Sequence, residues 1–494
     1  MKQTTQEETM HKRKNEKAVS QIETKSFLVI VVLLSLMIIL SGILSYIIPQ
    51  GEYLRTVNGA IIPNTFILGE IKGIEIWRII TSPIRVYASE DSLTIIMISV
   101  FLLVMSGVFN LMEKTGGIRV FIGKTMRKFS SKRKLVVCIA TLIFMLFGSF
   151  FGLFEELVTL LPIVIMFMLS LGFDTMTGLG VCMMSACFGF SSAITNPFSV
   201  GLIPEMAQDS GLNFSVTDGL WLRIIFFVLV FAVVCAFLLL HIRKITKNPK
   251  KSMTYQLDLK KRESLQTDLG VSPEEQAKEQ RIFKIFAIFF AIQFLILILI
   301  ASIRAISGFA IPILAVSFLI GGIVCGMLVC EKKSDAFYYL YKGAIAMLPA
   351  VALIALASSV KLVMVEGGIM DTVMHYVTLY LQGRNPYACV ILLYFLILFL
   401  QIFIGSASAK IFLIMPIILP IASNLGISPT VVALTYCIAD GFTDMILPTN
   451  PVLLIGLSIA GVSYGKWVKW TWAMQLFLFV FTVLVLLFAV AIGY

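Results

Sequence analysis

Apolar stretches of about 20 residues recur along the whole chain, and a stretch of that length can cross the hydrocarbon core of a bilayer as one helix. They include 27–48, 92–112, 221–240, 284–303, 309–330 and 471–492. Hydrocarbon offers no partner to backbone N–H and C=O groups, so such segments must close their hydrogen bonds internally, as helices do. The expectation is an all-α polytopic membrane protein. The first span follows a charged tail, 1–26, with no small-residue cleavage site after it, so it reads as a retained span rather than a signal peptide.

Composition agrees. The chain has 494 residues, 59% hydrophobic and 14% charged, where a soluble domain is about a quarter charged. The net charge of +11 could point to nucleic acid, but its distribution says otherwise. With the N-terminus inside, most Lys and Arg fall on one side of the membrane, with basic runs at 12–17, 124–134 and 243–262. That is the positive-inside pattern, and it places the protein as multi-pass in the cytoplasmic (inner) membrane with a cytoplasmic N-terminus. No nucleic-acid recognition motif accompanies the runs. The eight cysteines are scattered singly, no Cys-x-x-Cys occurs and there are three His, so neither disulfides, a metal site nor another cofactor is expected. No catalytic constellation is apparent either, which favours a carrier over an enzyme.

One polar region, 241–283, divides the chain. It is expected to be a cytoplasmic linker between an N-terminal membrane half, 27–240, whose first repeat covers 92–240, and a C-terminal half, 284–494, whose second repeat covers 343–492. The halves resemble each other. Residues 162–197 and 416–451 align without a gap at an offset of 254, with eight of 36 positions identical. Pro162 answers Pro416, Leu171-Gly172 answers Leu425-Gly426, and Thr195-Asn196-Pro197 answers Thr449-Asn450-Pro451. Upstream, Gly116-Gly117-Ile118 answers Gly367-Gly368-Ile369. The segment 113–134 carries eight Lys and Arg, whereas its counterpart 366–386 carries only Arg384. The repeats therefore read as inverted, a pattern found in secondary transporters.

Each repeat contains a stretch too long for one crossing. A straight helix over 135–172 would measure about 57 Å. Its centre holds Gly148, Ser149, Gly152, Glu155 and Glu156, which fits the tip of a re-entrant hairpin; 387–424 has Gly405, Ser406 and Lys410 at the same place. After each hairpin comes a helix interrupted at Thr-Asn-Pro, where Pro197 and Pro451 remove backbone donors. Broken backbone at membrane depth is tolerated only where protein or a wet cavity satisfies it, and broken helix ends attract ions. The two tips and two breaks are expected to meet at one midplane site.

Charged side chains in hydrophobic spans are functional hypotheses by default. Glu155 and Glu156 lie at the first tip and Lys410 at the second, with Glu156 and Lys410 equivalent at offset 254; Asp440 and Asp444 share one helix face before the second break. A cavity holding both a Lys and carboxylates suits a zwitterion or cationic amino acid. Lys410 and nearby amides would take the α-carboxylate, and Glu155, Glu156 or Asp444 the amino or guanidinium group. The same carboxylates could instead pair internally or carry protons.

The strings IPQGEYLRT, GSFFGLFEELVTLLPIV, CFGFSSAITNPFSVG, GSASAKIFLIMPI and DGFTDMILPTNPVLL resemble the YfcC/ArcD-type basic amino acid antiporters. That group is related to the DcuC-type C4-dicarboxylate carriers of the ion transporter superfamily. The resemblance spans about 27–492 and implies a homodimer moving a small-molecule substrate by an elevator-like shift within the lipid bilayer. Sodium–dicarboxylate relatives bind carboxylate and sodium through Ser-Asn-Thr motifs at tips and breaks. Here the breaks carry Thr195-Asn196-Pro197 and Thr449-Asn450-Pro451, with Ser191 and Ser192 before the first; the tips lack Asn-Thr, which leaves the coupling ion as Na+ or H+. The substrate-binding set expected is Ser149, Glu155, Glu156, Ser191, Thr195, Asn196, Ser406, Lys410, Asp444, Thr449 and Asn450. The expected activity is amino acid transport of the arginine/ornithine-exchange type, with a C4-dicarboxylate or other organic anion carrier as the rival.

Overall fold

The computed structural model describes residues 24–55, 61–62, 64–89, 92–115, 132–266, 273–302, 310–381 and 383–494. The N-terminal tail to residue 23, the basic run over 124–131 and Gly116-Gly117-Ile118 lie outside them. The described chain is helical apart from a two-strand antiparallel ribbon, β1 (Gly51–Glu52) and β2 (Ile67–Leu68). The first half contains α1 (Thr24–Leu44), α2 (Ile76–Arg85), α3 (Ser92–Lys114), α4 (Arg133–Phe151) and α5 (Leu161–Ser170). Next come α6, made of Thr175–Leu179, a π-turn Gly180–Met184 and Ser185–Ser192, then α7 (Ile203–Asp209) and α8 (Leu220–Lys247). α9 (Tyr255–Gln266) is followed by α10 (Pro273–Ser302), α11 (Ala310–Val329), α12 (Lys333–Ala346), α13 (Leu348–Glu366) and α14 (Ile369–Leu381). The last five are α15 (Pro386–Gln401), α16 (Ala407–Asn424), α17 (Pro429–Thr443), α18 (Pro451–Ala460) and α19 (Tyr464–Ala491).

Six helical stretches among the described residues are long and apolar enough to cross a membrane; α5, α15 and α18 are apolar but shorter. The outward faces of the long helices are apolar. Leu36, Val228 and Leu484 each expose more than half of their surface, while polar side chains such as Gln475 and Thr482 on α19 are buried. Water would penalise that arrangement, and hydrocarbon stabilises it. This is a multi-pass membrane protein.

The two long stretches are interrupted where glycines and polar residues cluster. α4 ends at Gly152 in the left-handed conformation (φ 67°), which returns N–H groups to the Gly148 and Phe147 carbonyls. A short 3-10 turn, Glu156–Leu160, precedes α5. In the second stretch the chain leaves α15 at Gln401 and re-enters α16 at Ala407, with Ser406 capping the Ala409 N–H. Local structure recurs at the offset of 254. Gly172 and Gly426 are both left-handed, and Asp174 and Ser428 both cap the helix that follows.

Glycine sets the closest approach in the core. A Cβ on Gly148 would lie 2.0 Å from the Ala186 carbonyl, and one on Gly189 2.1 Å from that of Met145, so α4 and α6 pack backbone to backbone. The broken helices meet as well. The Cys187 thiol donates to the Gly441 carbonyl (3.0 Å), Ser191 Oγ donates to that of Ile438 (3.2 Å), and a Cβ on Gly441 would strike the Ser191 backbone at 2.6 Å.

The polar linker is not a plain loop. α8 continues past residue 240 to Lys247 and α10 begins at Pro273, because Glu, Gln, Lys and Ala extend the helices beyond the apolar part. Between them α9 folds back on the ends of the broken helices. Trp470 Nε1 donates to His241 Nδ1 (3.0 Å), so the ring proton sits on Nε2 and is donated to Asp174 (2.9 Å). Ser252 and Thr177 also donate to Asp174 (both 2.6 Å). Burial alone would raise this carboxyl, but the bonds with His241, Ser252 and Thr177 hold it below its ordinary range. Asp258 accepts from Thr175 (2.5 Å) and Thr254 (2.7 Å). Lys261 donates to the Ala460 carbonyl at 2.9 Å; burial draws its ammonium down to about 8 against the opposing pull of Asp258 and Glu113.

On the opposite side, Arg55 and the Tyr53 N–H hold Asp371 of α14 (2.7 and 3.0 Å), and Phe66 stacks on His375 at 3.9 Å. Pro416 has no N–H, so the Phe412 carbonyl one turn earlier lacks its helical partner. The backbone N–H of the buried Ile61 fills that position at 3.4 Å.

Candidate functional site

The first tip and first break are joined by hydrogen bonds. The last carbonyls of a helix have no internal partner. Here those of Ser149 and Phe150 accept from Thr195 N (3.2 Å) and Thr195 Oγ1 (3.0 Å), while Ser149 Oγ accepts from Ile194 N (3.1 Å). Asn196 Oδ1 accepts from Phe198 N at 2.9 Å and lies where a Cβ on Gly152 would stand (2.3 Å). The Asn196 amide nitrogen is buried and has no partner among the described residues. Ala193, at the end of α6, is left-handed without being glycine (φ 42°).

Arg223 of α8 secures this end. It is buried and donates to the carbonyls of Ala193 (3.0 Å), Ile194 (3.1 Å), Asp218 (3.1 Å) and Val216. A positive group here complements the negative end of the α6 dipole. Its signal in the sequence was a single Arg inside an apolar run, and the sequence reading gave it no role.

The second break holds most of the charge. The Lys410 ammonium and the Asp440 carboxylate form an ion pair, both almost fully buried. One turn further along α17, Asp444 Oδ1 accepts from Gln401 Nε2 (2.5 Å) and Asn450 Nδ2 (2.7 Å). Asn450 Oδ1 caps Val452 N (2.9 Å), so Asn196 and Asn450 both use the carboxamide oxygen on the residue two further on. They differ at nitrogen: Asn450 meets Asp444, while Asn196 meets nothing described. α18 resumes at once at Pro451, whereas after Pro197 the chain turns until Ile203. The Met445 carbonyl accepts from Trp467 Nε1 (2.7 Å) and that of Ile446 from the Tyr464 hydroxyl (2.5 Å). Thr449 Oγ1, Thr443 Oγ1 and Gln401 Oε1 are buried without a described partner. Buried polar atoms are ordinarily satisfied, so such a cluster marks a place suited to a polar ligand or water.

The residues expected to form the site divide as follows. Ser149, Thr195 and Asn196 come together at the first break, and Lys410, Asp444 and Asn450 beside the second. Thr449 joins the second group: its carbonyl lies 4.0 Å from where a Gly405 Cβ would stand. Ser406 caps α16 at the exposed second tip, and Ser191 bridges the two broken helices. Glu155 goes elsewhere. It lines an apolar cleft with Phe101, Met105, Val158 and Ile455, and has no polar partner among the described residues. The side chain of Glu156 lies outside them. Helical spacing puts Asp440 and Asp444 on one face; the signal for Gln401 is a lone amide side chain in the apolar run before the second tip.

The model of the DcuC family, the C4-dicarboxylate anaerobic carriers, matches residues 24–491. The chain belongs to this family. Among curated proteins, this DcuC-family chain is 26% identical over 398 residues to the putative basic amino acid antiporter YfcC of Escherichia coli K12, covering 76% of the chain and 74% of the relative. It is also 26% identical over 387 residues to an uncharacterized protein of Haemophilus influenzae, covering 78% and 74%. Among solved structures it overlaps Neisseria gonorrhoeae MtrF, described with a class of antimetabolite efflux pumps (TM-score 0.42, 16% identity, 93% and 94% covered). It overlaps the Alcanivorax borkumensis YdaH transporter to a similar extent (TM-score 0.40, 17% identity, 94% and 99% covered).

Proposed function

We propose that this DcuC-family protein is a secondary active carrier of amino acids in the cytoplasmic membrane, exchanging basic amino acids of the arginine/ornithine type. The observation that carries this reading is the pairing of opposite charges in one buried place: Lys410 with Asp440, and Asp444 with two amides. A zwitterion needs a cation for its carboxylate and an anion for its amine. Lys410 and the spare amide of Asn196 would hold the carboxylate, and Asp444 the ammonium or guanidinium group. The putative activity printed for YfcC is consistent with this.

The proposed mechanism is elevator-like alternating access. The two tips act as re-entrant hairpins and the two broken helices as an inverted pair, in a homodimer with its N-terminus in the cytoplasm. The distribution of Lys and Arg and the recurrence of local structure at offset 254 support this arrangement. A C4-dicarboxylate is the second reading, favoured by the description of the family.

Proteoliposomes loaded with ornithine test it. Labelled arginine should enter against the ornithine gradient and be displaced by excess arginine but not by succinate. Displacement by succinate alone would replace the first reading with the second, and no counterflow with either would overturn both. Running the assay with and without Na+ identifies the coupling ion.

A further inference from the structure

We infer that Asp440 is an internal stand-in for the substrate's carboxylate, displaced from Lys410 when substrate binds and protonated as it leaves. The inference rests on the carrier reading above and holds for an amino acid or a dicarboxylate alike.

The geometry supplies the reason. Lys410 and Asp440 are almost fully buried, and their ion pair balances the ammonium's charge with no substrate present, while Lys410 Nζ has no hydrogen-bond partner among the described residues. A ligand carboxylate that binds this ammonium competes with Asp440 for its single positive charge. A carboxylate then stripped of its partner in a buried membrane interior would stand as an uncompensated charge, which costs several kcal/mol. Taking up one proton removes that cost. The step balances: one ion pair, one ligand carboxylate and one proton become one new ion pair and one neutral acid. Among the described residues both Asp440 oxygens lack any further hydrogen-bond donor, so none of these steadies the carboxylate once Lys410 turns away. Asp444 differs, since Gln401 and Asn450 already donate to it.

The surroundings leave few other proton acceptors. On its own helix Asp440 is faced by Tyr436, whose hydroxyl donates to the Ala407 carbonyl (2.5 Å), by Cys437 and by Asp444. α6 brings the Cys187 thiol, bonded to the Gly441 carbonyl, and α8 brings Arg223, spent on four carbonyls. α16 brings Lys410 itself, α15 the uncharged Gln401, and α19 the Tyr464 hydroxyl, bonded to the Ile446 carbonyl.

The test is ligand binding to the purified full chain by calorimetry between about pH 6.5 and 7.5, where the carboxylates of succinate and acetate stay ionised and the amino and guanidinium groups of arginine stay protonated. The expected result is an affinity that falls about tenfold per pH unit, the signature of one proton taken up per ligand bound. Asp440→Asn should flatten that dependence and Asp444→Asn should retain it. Arginine or succinate binding with a flat profile in the wild type overturns the inference and leaves the substrate reading standing. A retained slope in Asp440→Asn overturns the assignment to Asp440. Acetate alone binding, with the slope, supports the inference and overturns the substrate reading. Binding of none of the three overturns both.

Discussion

Replacing Arg223 by Met tests how the first break is held in place. Met keeps most of the apolar stem but removes every donor. The carbonyls of Ala193, Ile194, Asp218 and Val216 then lose their shared partner in a region where Arg223 is buried. A buried acceptor left unpaired costs about 1–3 kcal/mol. If two of the four find water, the remaining pair still cost about 2–6 kcal/mol, a large share of a typical total stability of about 5–15 kcal/mol. Ala193, held left-handed without being glycine, adds strain of about 1–3 kcal/mol that the guanidinium no longer offsets. Thermal unfolding of detergent-solubilised protein reads the sum. Arg223→Met should melt far below wild type, and Arg223→Lys, keeping fewer donors on the same charge, should fall between. Equal melting of Arg223→Met and wild type would refute the claim that these bonds hold the break.

Other expectations follow from the same structure. Asn196→Ala and Asn450→Ala should each abolish transport while the protein still inserts; wild-type uptake in both would remove the proposed site. Gly148→Ala places a methyl 2.0 Å from the Ala186 carbonyl and should prevent stable packing of α4 on α6, read as loss of a folded peak in size-exclusion chromatography. Lys261, drawn down to about 8 when folded, binds fewer protons than the unfolded chain between about pH 8 and 10.4. Stability should therefore rise with pH across that window by roughly 3 kcal/mol, at about 1.4 kcal/mol per unit, and Lys261→Met should remove the rise. Asp174 slopes the same way, in the acid range. Its lowered carboxyl adds stability that is fully present above about pH 3.9 and lost as pH falls through the folded value, so Asp174→Asn should destabilise most at neutral pH and progressively less in acid.

Much of the fold was legible because lipid makes backbone interruptions conspicuous. Gly152, the Gly405-Ser406 pair and the two Thr-Asn-Pro strings stand out against apolar runs, and the helices stop at those places. The pairing of side chains was harder to read. Periodicity put Asp440 and Asp444 on one face, but which of them meets Lys410 depends on how α16 crosses α17, a tertiary fact. Glu155 looked as functional as Lys410 by the rule that intramembrane charge is costly, yet the 3-10 turn after Gly152 sends it into an apolar cleft. The contacts of the linker were hidden for a related reason. Its mixed charges read as a polar linker, while the partners of those charges, Thr175, Phe173 and the Ala460 carbonyl, sit at helix ends far away in sequence.

The bond between Ile61 and Phe412 has a consequence for the helix that carries Lys410. Proline at 416 hands one of α16's carbonyls to a different part of the chain, so the ladder of the helix bearing Lys410 is completed from outside the helix. A protease cut or a bulky label between 55 and 61 would therefore act on that helix through main chain alone. The segment before β2 thus has a handle on the buried cation that touches neither the tips nor the breaks.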